Sequence, residues 1–588
     1  MSKKTLEIRK QFGSQTKAEQ IAHTWHTYNT QRSGKIQEWQ ELRNYIFATD
    51  TTTTSNQALP WKNSTTLPKL CQIRDNLHSN YISALFPNDN WLKWEAYSKN
   101  DATKEKVEAI EAYMSNKTRE GGFRTEVSKL VYDYIDYGNS FSTVDFESSY
   151  ITDENNRKII DFIGPKIRRI SPLDIVFNPI ASSFKDSFKI IRSVKNIGEL
   201  RIMSDQEPDN MYLKNILNKR SEMFAHMNAY GIEEWQKAEG INIDGFGNYW
   251  DYLQSGFVEI LEFFGDLHDQ ATGTVETGRV VSIVDRMYVM RDEPLPTWLG
   301  HAPIYHAGWR SRPDNLWAMG PLDNLVGMQY RIDHLENLKA DAMDLAVFPP
   351  LLVKGEVEEF VYAPGVNINM DENGDVGELG HNIQWVIGAE NSIDKLEQRM
   401  EMYAGAPREA MGIRTAGEKT AFEVQQLQNA AGRIFQEKIT SFEIELIEKS
   451  LNAMLETSKR NFDTEDVIRV MDNDLGVERF IKITKEDITA SGKLRPIGAR
   501  HFAAQAQLLQ GITGIFNSAM SQVVAPHLSG KNLAKLLEEV LGLSRYSLFS
   551  PNAAVFEQQE TMRLSKQAQE DLGAEDGIKD MGSNGSNV

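Results

Sequence analysis

Hydrophobic positions in the first part of the chain recur at the helical period. Ile36, Trp39, Leu42, Tyr45 and Ile46 step by three and four residues, which predicts an amphipathic helix. The polar run 51–56 breaks it. Leu70, Ile73, Leu77, Tyr81 and Leu85 predict a second helix, closed by Phe86-Pro87. Helical spacing resumes over 104–137, and Gly138-Asn139 supplies its C-terminal stop. Residues 142–147 and 158–163 then alternate as strands do, with Asp153-Glu154-Asn155-Asn156 as the turn between them.

Residues 195–250 are polar and mostly helical in pattern. Strand-like runs at 258–264, 280–290 and 302–306 follow, the first two separated by Ala271-Thr272-Gly273-Thr274, and together they predict a compact β-rich insertion. From Pro321 to Leu345 the helical period returns. Leu325, Met328, Ile332, Leu335, Leu338, Ala342 and Leu345 form an apolar stripe, charged residues fill the other face, and Pro349-Pro350 ends the run. Short strand-like pieces at 351–353 and 366–368 lead to a turn at 371–375 and a helix over 392–403. Gly405, Pro407, Gly412 and Gly417 then interrupt the chain.

The longest periodic segment covers 420–458, with Val424, Leu427, Ala431, Ile434, Ile439, Phe442, Leu446 and Leu451 on its apolar stripe. At ~1.5 Å per residue such a helix spans roughly 60 Å, far beyond the average of ~11–12 residues. It is expected to cross a whole domain or to lie against a neighbouring subunit. A strand at 479–483 and a helical block over 500–541 follow, and the Gly/Asp/Ser/Asn-rich end is expected to be disordered. The fold class expected from these elements is α+β, predominantly helical.

Composition narrows the function. The chain has 588 residues, roughly three or four domains' worth, with 40% hydrophobic and 25% charged residues, the balance of a globular protein. No stretch approaches the ~18 apolar residues of a membrane helix. The charged N-terminus lacks an apolar h-region, so no secretory signal is expected. The single Cys71 excludes a disulfide framework and thiolate zinc sites, and fits a reducing compartment. The net charge of −19 argues against a protein that coats nucleic acid, though not against one along which DNA slides without sticking.

Catalytic signatures are missing. The sequence holds no G-x-x-x-x-G-K-[ST] loop, no G-x-S-x-G elbow and no H-E-x-x-H. Gly245 and Gly247 lack the third glycine and the preceding buried strand of a dinucleotide site. His23 and His26 sit in a polar helix and read as solvated side chains rather than metal ligands. Residues 369–375 imitate half a calcium loop, but Gly380 stands where the bidentate glutamate belongs, so a hairpin turn is preferred. Trp39, Trp61, Trp91 and Trp94 fall beside apolar periodicity and are expected in the core. No enzyme, cofactor or metal is expected.

Four stretches together are similar to the portal (head-to-tail connector) proteins of short-tailed double-stranded DNA bacteriophages. The first is Leu67-Pro68-Lys69-Leu70-Cys71 with Ile82-Ser83-Ala84-Leu85-Phe86-Pro87 and Trp91-Leu92-Lys93-Trp94. The second is Asp136-Tyr137-Gly138-Asn139-Ser140 with Arg169-Ile170-Ser171-Pro172-Leu173-Asp174. The third is Gly320-Pro321-Leu322-Asp323-Asn324-Leu325. The fourth is Ala406-Pro407-Arg408-Glu409-Ala410-Met411-Gly412 with Thr415-Ala416-Gly417-Glu418-Lys419-Thr420. They span about 60–460 in the order that the family uses.

The resemblance implies a ring, usually of twelve copies, at one capsid vertex, assembled in the host cytoplasm. Double-stranded DNA passes through its channel, and its partners are the major capsid protein, the terminase large subunit and then a tail adaptor, with no membrane. It divides the chain into wing (1–224), a candidate first stem arm (225–254), clip (255–316), second stem helix (317–346), wing β segment and helix (347–404), tunnel loop (405–419), long wing helix and strand (420–489), crown (490–560) and a polar tail (561–588). It makes Arg408, Arg414 and Lys419 candidates for DNA contact in the tunnel loop, with ordinary surface charge or subunit ion pairs as the alternative. Asp333, Glu336, Lys339 and Asp344 would line the channel. Other readings are another virion component, such as a tail or capsid-associated protein, and a hydrolase without a recognised motif.

Overall fold

The computed structural model describes residues 17–47, 63–86, 91–98, 104–152, 158–206, 257–268, 274–286, 288–347, 349–354, 375–378, 384–404, 435–461, 466–471, 478–483, 485–489 and 491–496. The chain divides into two compact units, Met1–Thr464 with Thr484–Ala499, and Glu465–Ile483 with Arg500–Val588.

In the first unit the helices follow the apolar spacing. Helix α1 (Lys17–Gln31) buries Ala18, Ile21 and Trp25, and α2 (Ser33–Ile46) buries Trp39, Leu42, Tyr45 and Ile46. After α3 (Lys69–Leu85), which buries the five apolar positions expected of it, strand β1 (Leu92–Ala96) leads to α4 (Lys104–Glu120) and α5 (Phe123–Asp136). The segment 104–137 is thus two helices. They part at Gly121-Gly122, where Gly122 takes φ +67°, a conformation that costs glycine nothing.

Strands β2 (Asn139–Thr152) and β3 (Lys158–Ile170) pair antiparallel from Phe141↔Ile170 to Thr152↔Lys158. A 3₁₀ turn at Pro172–Asp174 precedes β4 (Ile175–Phe177), β5 (Lys189–Asn196) and α6 (Ile197–Gln206). Next come β6 (Phe257–His268), β7 (Val275–Val284), β8 (Tyr288–Pro294), β9 (Ile304–Gly308), β10 (Arg310–Arg312) and β11 (Asn315–Met319). One sheet runs β4-β5-β6-β7-β8 and another runs β3-β2-β9.

That topology corrects the separate insertion expected over 255–316. Strand β6 pairs with β5, from Lys189↔Phe264 to Asn196↔Phe257, and β9 pairs with β2. The reason is hydrophobic. Helix α1 places Ala18, Ile21 and Trp25 in one cluster with Val176, Ile190, Leu261, Phe263, Val281 and Ile283, so strands from both sides of the 207–256 stretch cover the same helix face. Lys17 Nζ fixes that helix at 2.8 Å from both Glu276 and Asp292.

The apolar run at 280–290 is two strands. They are separated by a turn in which Asp285 and Arg286 take φ 51° and 59°, costly angles for residues with a Cβ. The turn is held where the Arg286 guanidinium meets the buried Glu259 carboxylate at 2.8 and 2.9 Å.

Helix α7 (Val326–Val347), the hairpin β12 (Leu351–Lys354) with β13 (Asp375–Glu378), and α8 (Gln384–Tyr403) come next. Helix α7 starts after a turn, five residues beyond Pro321, and α8 starts eight residues before Ser392. Residues 366–368 lie outside the described set.

Residues 435–461 form one continuous helix, α9, with a π segment at Glu443–Glu448. It crosses the unit's own core. Ser450 Oγ lies 2.9 Å from Ser142 Oγ of β2, and the Tyr134 hydroxyl donates to Lys438 O at 3.1 Å. In the second unit, β14 (Asp466–Met471) pairs antiparallel with β15 (Glu478–Ile483). Back in the first unit, β16 (Gly492–Pro496) pairs with β1. The rest of the expected crown, from 497, lies outside the described residues.

The protein is therefore a mixed helix-and-strand fold. The expectation of a predominantly helical chain is matched in part, because several strands are too short or too polar to announce themselves. Lys189–Asn196 and Arg310–Arg312 are examples.

Candidate functional site

Two helices, α7 and α8, lie side by side with the β12–β13 hairpin between them in sequence. Lys339, Met343, Val386, Ile387, Glu390 and Asn391 line the cleft where the end of α7 meets the start of α8. Lys339 Nζ bridges it, 2.6 Å from both Glu336 and Glu390. At the opposite end Lys69 of α3, 6% exposed, reaches Glu401 at 2.6 Å and Glu397 at 3.2 Å on α8. These contacts hold the helix pair against the N-terminal helices.

Of the apolar stripe read from the sequence, α7 buries Ile332 and, just before its first turn, Leu325. Its buried residues are Gln329, Ile332, Asp333 and Asn337, while Leu338 and Leu345 are exposed. The polar side chains are buried because they bind backbone. Residues 63–68 run along α7 without regular structure. Gln329 Oε1 accepts from Leu70 N at 3.2 Å, and its Nε2 donates to Leu67 O. Asp333 Oδ1 accepts from Leu67 N at 3.0 Å and from Gln329 Nε2 at 2.9 Å. Asn337 accepts from Thr65 N at 2.7 Å and donates to Thr65 O at 3.0 Å. Asp341 accepts from both Asn63 N and Asn63 Nδ2.

Helix residues four apart thus engage peptide groups along the strap. The signal in the sequence is Gln-x3-Asp-x3-Asn-x3-Asp, a row of short side chains apt to bond backbone. Burial pushes the Asp333 carboxyl up to about 6, against the two hydrogen bonds at Oδ1, which favour the charged form. Its Oδ2 is buried and has no hydrogen-bond partner.

Two of the stretches singled out in the sequence meet in space. Gly138, at φ +67°, packs backbone to backbone on Gly320, where a Cβ on Gly138 would come within 2.2 Å of Gly320 N. The buried Asn139 locks this contact. Its Oδ1 accepts from Ala318 N at 2.9 Å, and its Nδ2 donates to Ala318 O at 2.9 Å. Asp323 Oδ2 accepts from Gly320 N and from Lys35 Nζ. Beside this joint, Arg74 of α3 holds Asp136 with two bonds at 2.7 and 2.9 Å.

The residues expected along a channel are placed as follows. Asp333 is 3% exposed and engaged by the strap, so as a buried group of the chain it does not line a water-filled face. Glu336 is half-buried and paired with Lys339. Asp344 is exposed and accepts from Asn63 Nδ2 at 3.1 Å. Arg408, Arg414 and Lys419 lie outside the described residues, as do Trp61, Gly245 and Gly247.

Trp39, Trp91 and Trp94 are buried, and His23 and His26 are exposed. Among the described residues no group of three or more His, Cys, Asp or Glu side chains could hold a metal ion, and no helix is long and apolar enough to cross a membrane. No protein-family model and no curated protein matches the chain.

Proposed function

We propose that the chain is the subunit of a phage portal, a ring-forming and non-enzymatic conduit for double-stranded DNA at one capsid vertex. Its partners are then the capsid protein, the terminase motor during packaging and a tail adaptor afterwards. The helical hairpin carries this reading. Met343, Leu345 and Val347 on α7, Val353 on β12, and Ile387 and Met402 on α8 are all exposed. Exposed apolar residues on both helices and on the strand between them suit a contact face, and in a ring each hairpin is flanked by the hairpins of two neighbours.

The pairing of α7 with α8 also changes the division of the chain. Portal stems are two helical arms with the clip between them. On this reading α7 and α8 are the arms, the stretch around β12 and β13 is the clip, and the tunnel loop at 405–419 follows α8 directly. Residues 255–319 then belong to the wing, with whose strands they pair, and 225–254 is not needed as an arm. The net charge of −19 per chain suits a wall along which a polyanion slides.

Native mass spectrometry of the purified protein is expected to show a ring of about twelve 66.8 kDa copies. Met343→Glu with Leu345→Glu should keep the circular dichroism of the single chain and abolish the ring, since charge on a buried apolar contact is strongly unfavourable. A ring that persists in this variant shows that the hairpin is not the lateral contact. A wild-type chain that stays monomeric under all assembly conditions removes the portal reading.

In the tunnel loop, Arg408→Ala with Arg414→Ala should leave assembly intact and impair packaging or retention of DNA. Failed assembly instead would make these arginines interface residues.

A further inference from the structure

The strap at 63–67 lies on the surface. Ser64 and Thr65 are exposed, and Asn63, Thr66 and Leu67 are half-buried, so its hold on α7 is made chiefly of the ladder of hydrogen bonds. One rung differs from the rest. Asp333 Oδ1 takes both available donors, the Leu67 amide and the Gln329 side chain, whereas Oδ2 is buried without a partner. A carboxylate in this position carries charge that nothing at Oδ2 compensates, and burying such charge is unfavourable. A carboxylic acid sets its proton on Oδ2 and keeps both bonds at Oδ1.

The charged groups nearby do not supply a counter-charge. On α7, Arg331 is exposed, His334 is half-buried, Glu336 pairs with Lys339, and Asp341 is bonded to Asn63. On α3, Lys69 is held by Glu397 and Glu401 of α8, and on α2, Lys35 is held by Glu38 and Asp323. The strap residues 63–67 contain no titratable side chain.

We propose that residues 63–67 are a pH-sensitive latch, fastened to α7 when Asp333 is protonated and loosened when it ionises. Beyond Asn337 the helix is exposed over 343–347, so releasing the strap frees the outer end of α7 from the N-terminal helices while Lys339 still ties it to α8. The latch does not rest on the ring reading.

The direction follows from the titration of the group. The carboxyl is raised to about 6 in the folded chain, from an ordinary 3.8. A raised acid favours the latched state below its free value, and that advantage is lost as the pH climbs through the folded value. The opening equilibrium is therefore expected to grow about thirtyfold between pH 4.5 and pH 8.

Hydrogen exchange of the full-length protein, corrected for intrinsic exchange rates, reads this directly. Protection of the amides at 63–70 should fall about thirtyfold over that range, with no matching change in the β2–β3 hairpin. Asp333→Asn should flatten the dependence, and Asp341→Asn, at the end of the ladder, should keep it. A flat wild-type profile overturns the latch, as does a slope shared with β2–β3 or one that survives Asp333→Asn.

Discussion

Lys69→Ala is expected to destabilise the first unit by about 3–5 kcal/mol, the range for removing one partner of a buried ion pair. The ammonium is 6% exposed and lies 2.6 Å from a Glu401 carboxylate whose side chain is also 6% exposed. Glu397, one turn earlier on α8, stands 3.2 Å from the same nitrogen. Removing the cation sets two carboxylates four residues apart on one helix against each other, a repulsive spacing, with the Glu401 side chain only 6% exposed. Chemical unfolding read by circular dichroism gives the loss, and hydrogen exchange should place it at the junction of α3 with α8. Adding Glu401→Gln should recover at least half of it. A loss under about 1 kcal/mol, the usual worth of an exposed pair, would mean that the pair is solvated.

Gly138→Ala should cost about 3 kcal/mol, from two sources. A side chain at positive φ adds about 1–2 kcal/mol, and an added Cβ forced against rigid backbone adds about 1–3 kcal/mol. Gly122 separates the two. It has the same φ of +67° as Gly138, but a Cβ there meets nothing within 4 Å. Gly122→Ala is therefore expected to cost about 1 kcal/mol, and the difference between the two variants measures the Gly138–Gly320 approach. Equal losses would show that the 134–140 joint yields and that the contact with Gly320 is loose.

Periodicity made the helices around Trp39, Leu77 and Leu130 legible, as it did the β2–β3 hairpin, because each buries a regular apolar face against its own unit. It failed at α7 for a physical reason. A scale of hydrophobicity reads Gln329, Asp333 and Asn337 as a wet face, and they are buried because backbone groups of residues 65–70 bond to them. Leu338, Met343 and Leu345 on the same helix are exposed. Partner strands such as β5 with β6, or β1 with β16, lie too far apart in sequence for local pattern to join them. The Gly138-Asn139 and Gly320 stretches were legible as motifs but not as neighbours, since a backbone contact between two glycines leaves no trace in hydrophobic pattern.

The ladder between the strap and α7 is also a vernier. Four helical residues advance ~6 Å, and two extended residues advance ~6.6 Å, so each rung slips by roughly half an ångström against the last. Over the span from Asp333 to Asp341, two such steps, the accumulated slip is about 1 Å. At the far end the Asn63 side-chain amide is shared between Asp341 and Asp344, one turn apart on α7.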